Sequence, residues 1–179
     1  GTNVVVAPGT PSGSYTLTYQ ICEVLNPSNC DTAIVTVPVG ATAIVANDDA
    51  GTSVNGFVGG TAFTNVLTND TLNGVAVVPS QVTTTFVSST NVGVTLSGTN
   101  VVVAPGTPAG SYTLTYQICE VLNPSNCDTA IVTVPVGATA IVANDDAGTS
   151  VNGYTGGTSF TNVLTNDTLN GVAVVPSQV

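Results

Sequence analysis

No lysine, arginine, histidine, methionine or tryptophan occurs among the 179 residues. Without a basic side chain there is no counterion-releasing surface, and nucleic-acid binding is excluded in practice. No salt bridge can form between side chains. A phosphate-binding loop would lack its lysine and a Ser-His-Asp triad its base. Imidazole metal sites and lysine isopeptide cross-links are impossible. The ten Asp and Glu are unopposed, so the formal charge is −10. Such a surface repels anionic membranes and nucleic acids and keeps a long chain soluble. Long apolar runs are missing too: none approaches the ~18 residues a membrane span needs, so no membrane insertion by this segment is expected. No signal peptide is visible. The pattern starts partway through a unit, so the sequence reads as a segment of a longer protein.

What is there is repetition. Residues 1–82 align without gaps onto residues 98–179, so that residue n has its counterpart at n + 97. They differ at only four positions: Ser12/Ala109, Phe57/Tyr154, Val58/Thr155 and Ala62/Ser159. A fixed period of this kind decides the fold question before anything else. Each period carries five acids, in the first Glu23, Asp31, Asp48, Asp49 and Asp70.

The period is a β period. Val, Thr and Ile dominate, and β-branched residues suit a pleated, half-buried surface. Gly, Pro, Asn and Ser punctuate the chain about every 8–12 residues, the spacing of a sandwich or barrel. In the segment 15–22, Tyr15, Leu17, Tyr19 and Ile21 share one face, and Thr16, Thr18, Gln20 and Cys22 the other. In 30–37, Ala33, Val35 and Val37 lie on one face, opposite Cys30, Thr32 and Thr36. Asn26-Pro27-Ser28-Asn29 between them is turn chemistry, so the two segments predict an antiparallel hairpin with its cysteines on the outer face.

Two frames are open for the unit. A cut at Ser97/Gly98 would divide the tight hairpin that 94–103 predicts. A cut at Val39-Gly40-Ala41-Thr42, where small residues follow a proline, spares it and is preferred. Residues 42–138 are then one complete unit, 1–41 the C-terminal half of an earlier one and 139–179 the N-terminal half of the next. About eight short strands are expected, near 43–46, 52–54, 62–67, 75–78, 82–88, 92–96, 100–104, 112–119 and 127–136, with one irregular. The fold class predicted is all-β: tandem Ig-like β-sandwiches stacked end to end. Linkers of about three residues favour a stiff rod over flexible tethers.

Cys22 and Cys30, like Cys119 and Cys127, enclose seven residues. On facing strands of a hairpin each pair can bridge within its own unit; two free thiols per unit is the alternative. Disulfides imply an oxidising, extracytoplasmic compartment. A zinc site would need four ligands, which two cysteines without histidine do not supply.

The acids offer a second candidate. Asp48 and Asp49 follow the boundary and Asp70 comes about 22 residues later; their counterparts are Asp145, Asp146 and Asp167. Clustered carboxylates at a junction suit Ca²⁺, which takes hard oxygen ligands. The alternative is that Asn-Asp pairs form turns and face water. Asp31-Thr32-Ala33 and Asp70-Thr71-Leu72 recur as Asp128-Thr129-Ala130 and Asp167-Thr168-Leu169, and Asn69-Asp70-Thr71 also fits the N-glycosylation pattern. Ordinary strand and turn threonine explains these triplets equally. Catalysis is not expected: a carboxylate pair of glycosidase type is the only chemistry the composition permits, and adjacent Asp48 and Asp49 do not make one.

The segments 13–23 (GSYTLTYQICE) and 26–33 (NPSNCDTA) resemble the end of Ig-like repeats in very large Bacteroidota surface adhesins. These include gliding-motility-associated proteins exported by the type IX system. Asn47-Asp48-Asp49 followed by 65–70 (NVLTND) is similar to the opening of bacterial cadherin-like adhesin repeats. The resemblance covers the whole period. It implies an extracellular, cell-surface filament of stacked sandwiches, often with calcium at the joints. It also implies O-glycosylation at Thr32, Thr71, Thr129 and Thr168.

The leading functional expectation is therefore a structural extender for cell adhesion, not an enzyme. Its partners would be further copies of the repeat in the same chain and other copies of the filament. Two alternatives are a repeat that binds glycan or a surface by avidity, with Phe57/Tyr154 as the exposed aromatic, and lateral assembly into a sheath or surface layer.

Overall fold

The computed structural model covers residues 1–179. Sixteen strands form in chain order. β1 (Gly13–Cys22) and β2 (Cys30–Val39) make a hairpin. Then come β3 (Ile44–Val45), β4 (Asp49–Ala50), β5 (Val54–Asn55), β6 (Gly60–Phe63), β7 (Thr71–Leu72) and β8 (Val75–Ala76). A 3-10 turn at Pro79–Gln81 leads into β9 (Val82–Ser89), β10 (Val94–Ser97) and β11 (Asn100–Val103). The long strands β12 (Gly110–Glu120) and β13 (Cys127–Gly137) come next, and β14 (Ile141–Val142), β15 (Thr168–Leu169) and β16 (Val172–Ala173) close the chain.

Two sheets face one another across the centre. One runs β4-β13-β12-β9, with β5 also on β13; the other runs β10-β11-β6. A small third sheet, β3-β7-β8, closes one side. The ladders are antiparallel except that β4 and β5 run parallel to β13. The alternation expected at 15–22 and 30–37 is seen in the counterparts, where it meets a facing sheet. Leu114, Tyr116, Ile118, Ala130, Val132 and Val134 are all buried. They pack against Val94, Val101 and Val103 of the facing sheet in one core of 15 residues, all between Val54 and Val136. Burying each such side chain contributes about 1.5–3 kcal/mol.

The hairpin of 1–41 has the same sequence and register, with Val4, Val5 and Val6 lying beside Tyr15, Leu17 and Val37 on its inner face. Gly13–Val39 pairing through Cys22–Cys30 reproduces Gly110–Val136 through Cys119–Cys127. Yet Tyr19 is 46 % exposed where its counterpart Tyr116 is fully buried. The elements that cover β12 and β13 are β6, β10 and β11 together with the turn residues Val66 and Leu67.

Some strand boundaries differ from expectation. The stretch 52–54 becomes two short strands, β4 and β5, flanking Gly51–Ser53. The strand expected at 62–67 ends at Phe63, because Asn65 turns the chain at φ 58°. Val66 and Leu67 are nevertheless buried, as turn residues. The added strand β7 pairs with β8 through Asn73 (φ 54°) and Gly74 (φ 74°). Two successive left-handed residues are what a two-residue hairpin turn of matching twist requires, and Asn-Gly supplies them.

Candidate functional site at the joints between units

Cys22–Cys30 and Cys119–Cys127 are both disulfide-bonded, with S–S distances of 2.03 and 2.04 Å, and no cysteine is free. Each bridge joins directly opposed strand residues at the hairpin's end. The Cys119–Cys127 bridge therefore closes the loop 120–126, which carries Glu120, Asn123 and Asn126.

That loop meets the preceding hairpin. The backbone N–H and the hydroxyl of Ser12 both donate to Asn123 Oδ1, each at 2.6 Å. Asn126 Nδ2 donates to the carbonyl of Thr42 at 2.7 Å, fixing the linker, and to Glu120 Oε2 at 2.8 Å. Burial pushes the Glu120 carboxyl up, but hydrogen bonds from Asn126, Asn123 and Thr42 outweigh it and hold the group below its ordinary range. The other end of β13 meets the stretch 139–179. Thr139 Oγ1 donates to Asn55 Oδ1 at 3.2 Å, and Gly56 N–H to the carbonyl of Gly137 at 3.0 Å. Beside them lies an open crevice of about 370 Å³, lined by Phe57, Pro108 and Ala109 on one side and Ile141 and Leu169 on the other.

Three of the four sequence differences fall at these ends. Ser12 bonds Asn123, and Ala109 keeps the backbone donor but loses the hydroxyl. Phe57 lines the crevice, and Val58 adjoins it in sequence. The fourth difference, Ala62/Ser159, is satisfied locally, since Ser159 Oγ donates to the Thr149 carbonyl at 2.6 Å.

The acids expected at the joint sit elsewhere. Asp48 Oδ1 accepts from the N–H of Ile131 at 2.8 Å, along β13. Asp49 and Asp70 converge beneath the core residue Tyr116. Its hydroxyl lies 3.1 Å from Asp70 Oδ2, 3.4 Å from Asp49 Oδ2, 3.0 Å from the Val66 carbonyl and 3.2 Å from that of Asn47. One phenolic proton thus faces several acceptors, and no cation is available from any side chain. Asp49 is pushed up to about 6, by burial first and then by the charge of Asp70. Asp70 is raised by burial, offset in part by the Asn47 N–H and by Tyr116. Burial, then Asp70 and Asp49, push the Tyr116 hydroxyl up as well.

As arranged, this donor set does not fit calcium. The buried Asp70 already accepts from Asn47 N–H and Tyr116, and Asp48 faces away. No three His, Cys, Asp or Glu side chains gather closely enough to hold an ion. In the second copy, Asp167 accepts from the Asn144 N–H at 2.8 Å, Asp145 receives Asn166 Nδ2 on its backbone carbonyl, and Asp146 is exposed.

Thr32 and Thr129 are exposed on the outer face of their hairpins, while Thr71 and Thr168 are half-buried in β7 and β15. Sequence reasoning missed Ser12, Thr42, Glu120, Asn123 and Asn126 as a group. The available signal was an Asn-rich turn closed by two cysteines, a pattern that by itself says only turn.

No protein family and no curated protein matches the chain. Among solved structures it is similar to the protocadherin gammaB4 extracellular domain at 15 % identity and TM-score 0.34, covering 72 % of this chain and 23 % of that one. It is also similar to a protocadherin gammaB7 EC3-6 cis-dimer structure at 16 % identity and TM-score 0.34, covering 79 % of this chain and 37 % of that one. The chain thus spans well under half the length of either. No helix is long and apolar enough to cross a membrane. The two disulfides belong to an oxidising, extracytoplasmic setting.

Proposed function

We propose that this chain is part of an extracellular stalk or filament, an extender whose 97-residue units join head to tail. The unit is framed as 42–138, with half-units at 1–41 and 139–179. The observation that supports it most is the joint itself: Ser12 bonded twice to Asn123, with the linker carbonyl of Thr42 pinned by Asn126. Direct hydrogen bonds on a linker this short resist bending without an ion. β13 runs the length of the unit with 11 residues, which at ~3.3 Å each gives an axial rise of about 36 Å.

The motifs at 13–33 and 47–70 support placing the extender in a large repetitive surface adhesin of the Bacteroidota, of the gliding-associated, type IX-exported kind. O-glycosylation at Thr32, Thr71, Thr129 and Thr168 belongs to the same proposal. Native material should then exceed 17.7 kDa by discrete sugar increments, and a matching mass removes that element.

The test of the extender is shape. Electron micrographs of material with several units should show rods with an axial rise of about 36 Å per unit. Asn123→Ala should broaden the angle between neighbouring units while leaving each unit folded. Parent material with freely varying inter-unit angles would overturn the proposal.

A further inference from the structure

We propose that the outer edge of β9 pairs with the same edge of a second copy of this chain, joining two central units through one continuous antiparallel sheet. β9 and the strands it packs with, β10 and β12, all lie within 42–138. The pairing needs only one unit, so it and the extender role can fail separately.

β9 ends its sheet and is bonded to β12 on one side only. With eight residues it is the longest end strand of the central unit; β6 and β10 have four each, and β4 and β5 have two. Its peptide groups alternate between the two sides. On β12, Glu120 N–H donates to the Asn126 carbonyl on the β13 side, whereas the Thr113 carbonyl accepts from Thr90 N–H on the β9 side. Ile118 and Tyr116 share the β13 side with Glu120 by alternation. Their partners Thr84 and Phe86 therefore turn N–H and C=O away from β12, and no other strand takes them. The register runs unbroken from Val82 to Phe86, and a bulge at Val87 ends it. Edges are usually blunted by charge, proline or a bulge. The run Val82-Thr83-Thr84-Thr85-Phe86 carries none of these, and all five residues favour strand.

Charge and sequence both point to a second copy as the occupant. A chain of net charge −10 repels its like, yet none of its acids falls between Asp70 and Glu120. β8, β9, β10 and β11 lie in that stretch, so two copies meet with least repulsion along this edge. Glu120, opposite Val82, is buried. The run also matches its own reverse. An antiparallel pair centred on Thr84 sets Thr84 against Thr84, Thr83 against Thr85 and Val82 against Phe86. The two Thr84 residues exchange a pair of backbone bonds, because both turn their peptide groups outward. Threonine faces threonine on the outer side, and on the other side Val82 meets Phe86, which is 48 % exposed. The same patch on both partners closes at two copies. On the extender reading, filaments paired this way run in opposite directions, as from two facing surfaces, and each unit adds a further contact.

Sedimentation of the 179-residue chain, at moderate salt to screen its charge, should show a monomer of 17.7 kDa giving way to a dimer, and nothing larger, as concentration rises. Hydrogen exchange at the Thr84 and Phe86 amides should slow in step with the dimer. Thr83→Glu combined with Thr85→Glu sets like charges opposite one another in both threonine pairs and should leave a monomer. Thr83→Lys combined with Thr85→Lys should do the same, and an equimolar mixture of the two variants should restore the dimer. Both threonines are exposed, so the unit should still fold. Thr95→Glu combined with Thr133→Glu adds the same charge at exposed positions of β10 and β13 and should dimerise like the parent. A parent that stays monomeric up to its solubility limit overturns the proposal. So does a dimer in which the Thr84 and Phe86 amides exchange as fast as in the monomer. Edge variants and the Thr95/Thr133 variant that behave alike overturn it too, as does a mixture that stays monomeric.

Discussion

Asp49→Asn should stabilise the central unit at neutral pH and remove most of its pH dependence between about pH 4 and 7. Asp49 faces Asp70 and the hydroxyl of Tyr116, with Asp48 beside it in sequence and Asp128 acting on Asp70. Its carboxyl is held near 6 when folded, against 3.8 when free. A folded value above the unfolded one means that the native state binds more protons in that window. Stability must then fall as pH rises through it. The full difference corresponds to about 3 kcal/mol at 1.36 kcal/mol per tenfold. Solvent screening of a carboxyl that keeps 9 % exposure reduces that to about 1–2 kcal/mol. For a domain of this size each kcal/mol moves Tm by about 4–8 °C. Glu120 acts in the opposite sense and lower down: its carboxyl is depressed when folded, so its contribution is lost as pH falls below the ordinary glutamate range. The stability maximum should therefore lie at or below about pH 4, where the Glu120 contribution begins to be lost and the Asp49 penalty has not yet set in. The assay is thermal unfolding by circular dichroism at steps from pH 4 to 8, for the parent, for Asp49→Asn and for Asp146→Asn. Asp146 is its exposed counterpart in the second copy and should change nothing. A flat parent profile from pH 5 to 7.5 would refute the reasoning. So would an Asp49→Asn variant less stable than the parent at pH 7.5, which would mean that the charge is welcome there.

Three more outcomes are expected. Replacing Cys119 and Cys127 by serine should cost about 2.5 kcal/mol, the loop-closure value for a bridge spanning eight positions; an unchanged melt would show that the loop 120–126 is held without it. Gly56→Ala should destabilise the unit by more than about 1 kcal/mol, since an added Cβ would meet the Thr107 carbonyl and Val136, both packed; a variant melting with the parent would place that backbone further apart. Adding calcium or a chelator should leave Tm unmoved, because Asp48 and Asp70 already accept backbone N–H donors; a calcium-dependent rise would show that Asp49, Asp70 and the Asn47 and Val66 carbonyls open to take an ion.

Local pattern carried the long strands into view. The period-two alternation at 15–22 and 30–37 placed Leu114, Tyr116, Ile118, Ala130, Val132 and Val134 on the core face. It also set Cys119 opposite Cys127. Both depend only on the pleat and on register within one hairpin, which neighbouring residues determine. Short strands were less legible: β4 and β5 hold two residues each and exist because β13 offers them a parallel edge. The meeting of carboxylates at Tyr116 is not legible for a related reason. Asp49, Asp70 and Tyr116 are 21, 46 and 67 positions apart in pairs, and no spacing rule brings such separations together. Asn123 looked like turn chemistry because its partner, Ser12, lies 111 positions away in a different unit.

The absence of basic residues explains how the remaining acids are used. With no ion pair available, nearly every acid of the central unit takes a proton donor from the backbone or from an amide. Asp48 accepts from Ile131 N–H, Asp70 from Asn47 N–H, and Asp128 from the N–H groups of Ala46 and Thr129. Glu120 accepts from Asn126. Three of these bonds tie the stretch 46–49 to β13 and to Asp70. That stretch has only two-residue strands on either side, too few ladder bonds to hold it. The carboxylates thus supply acceptors that the sheet does not. Asp49 has no backbone donor, and its side-chain partners are the Tyr116 hydroxyl at 3.4 Å and Asn69. Burial without a backbone donor, beside the like charge of Asp70, is costly for a charged group, and this is the carboxyl pushed up to about 6.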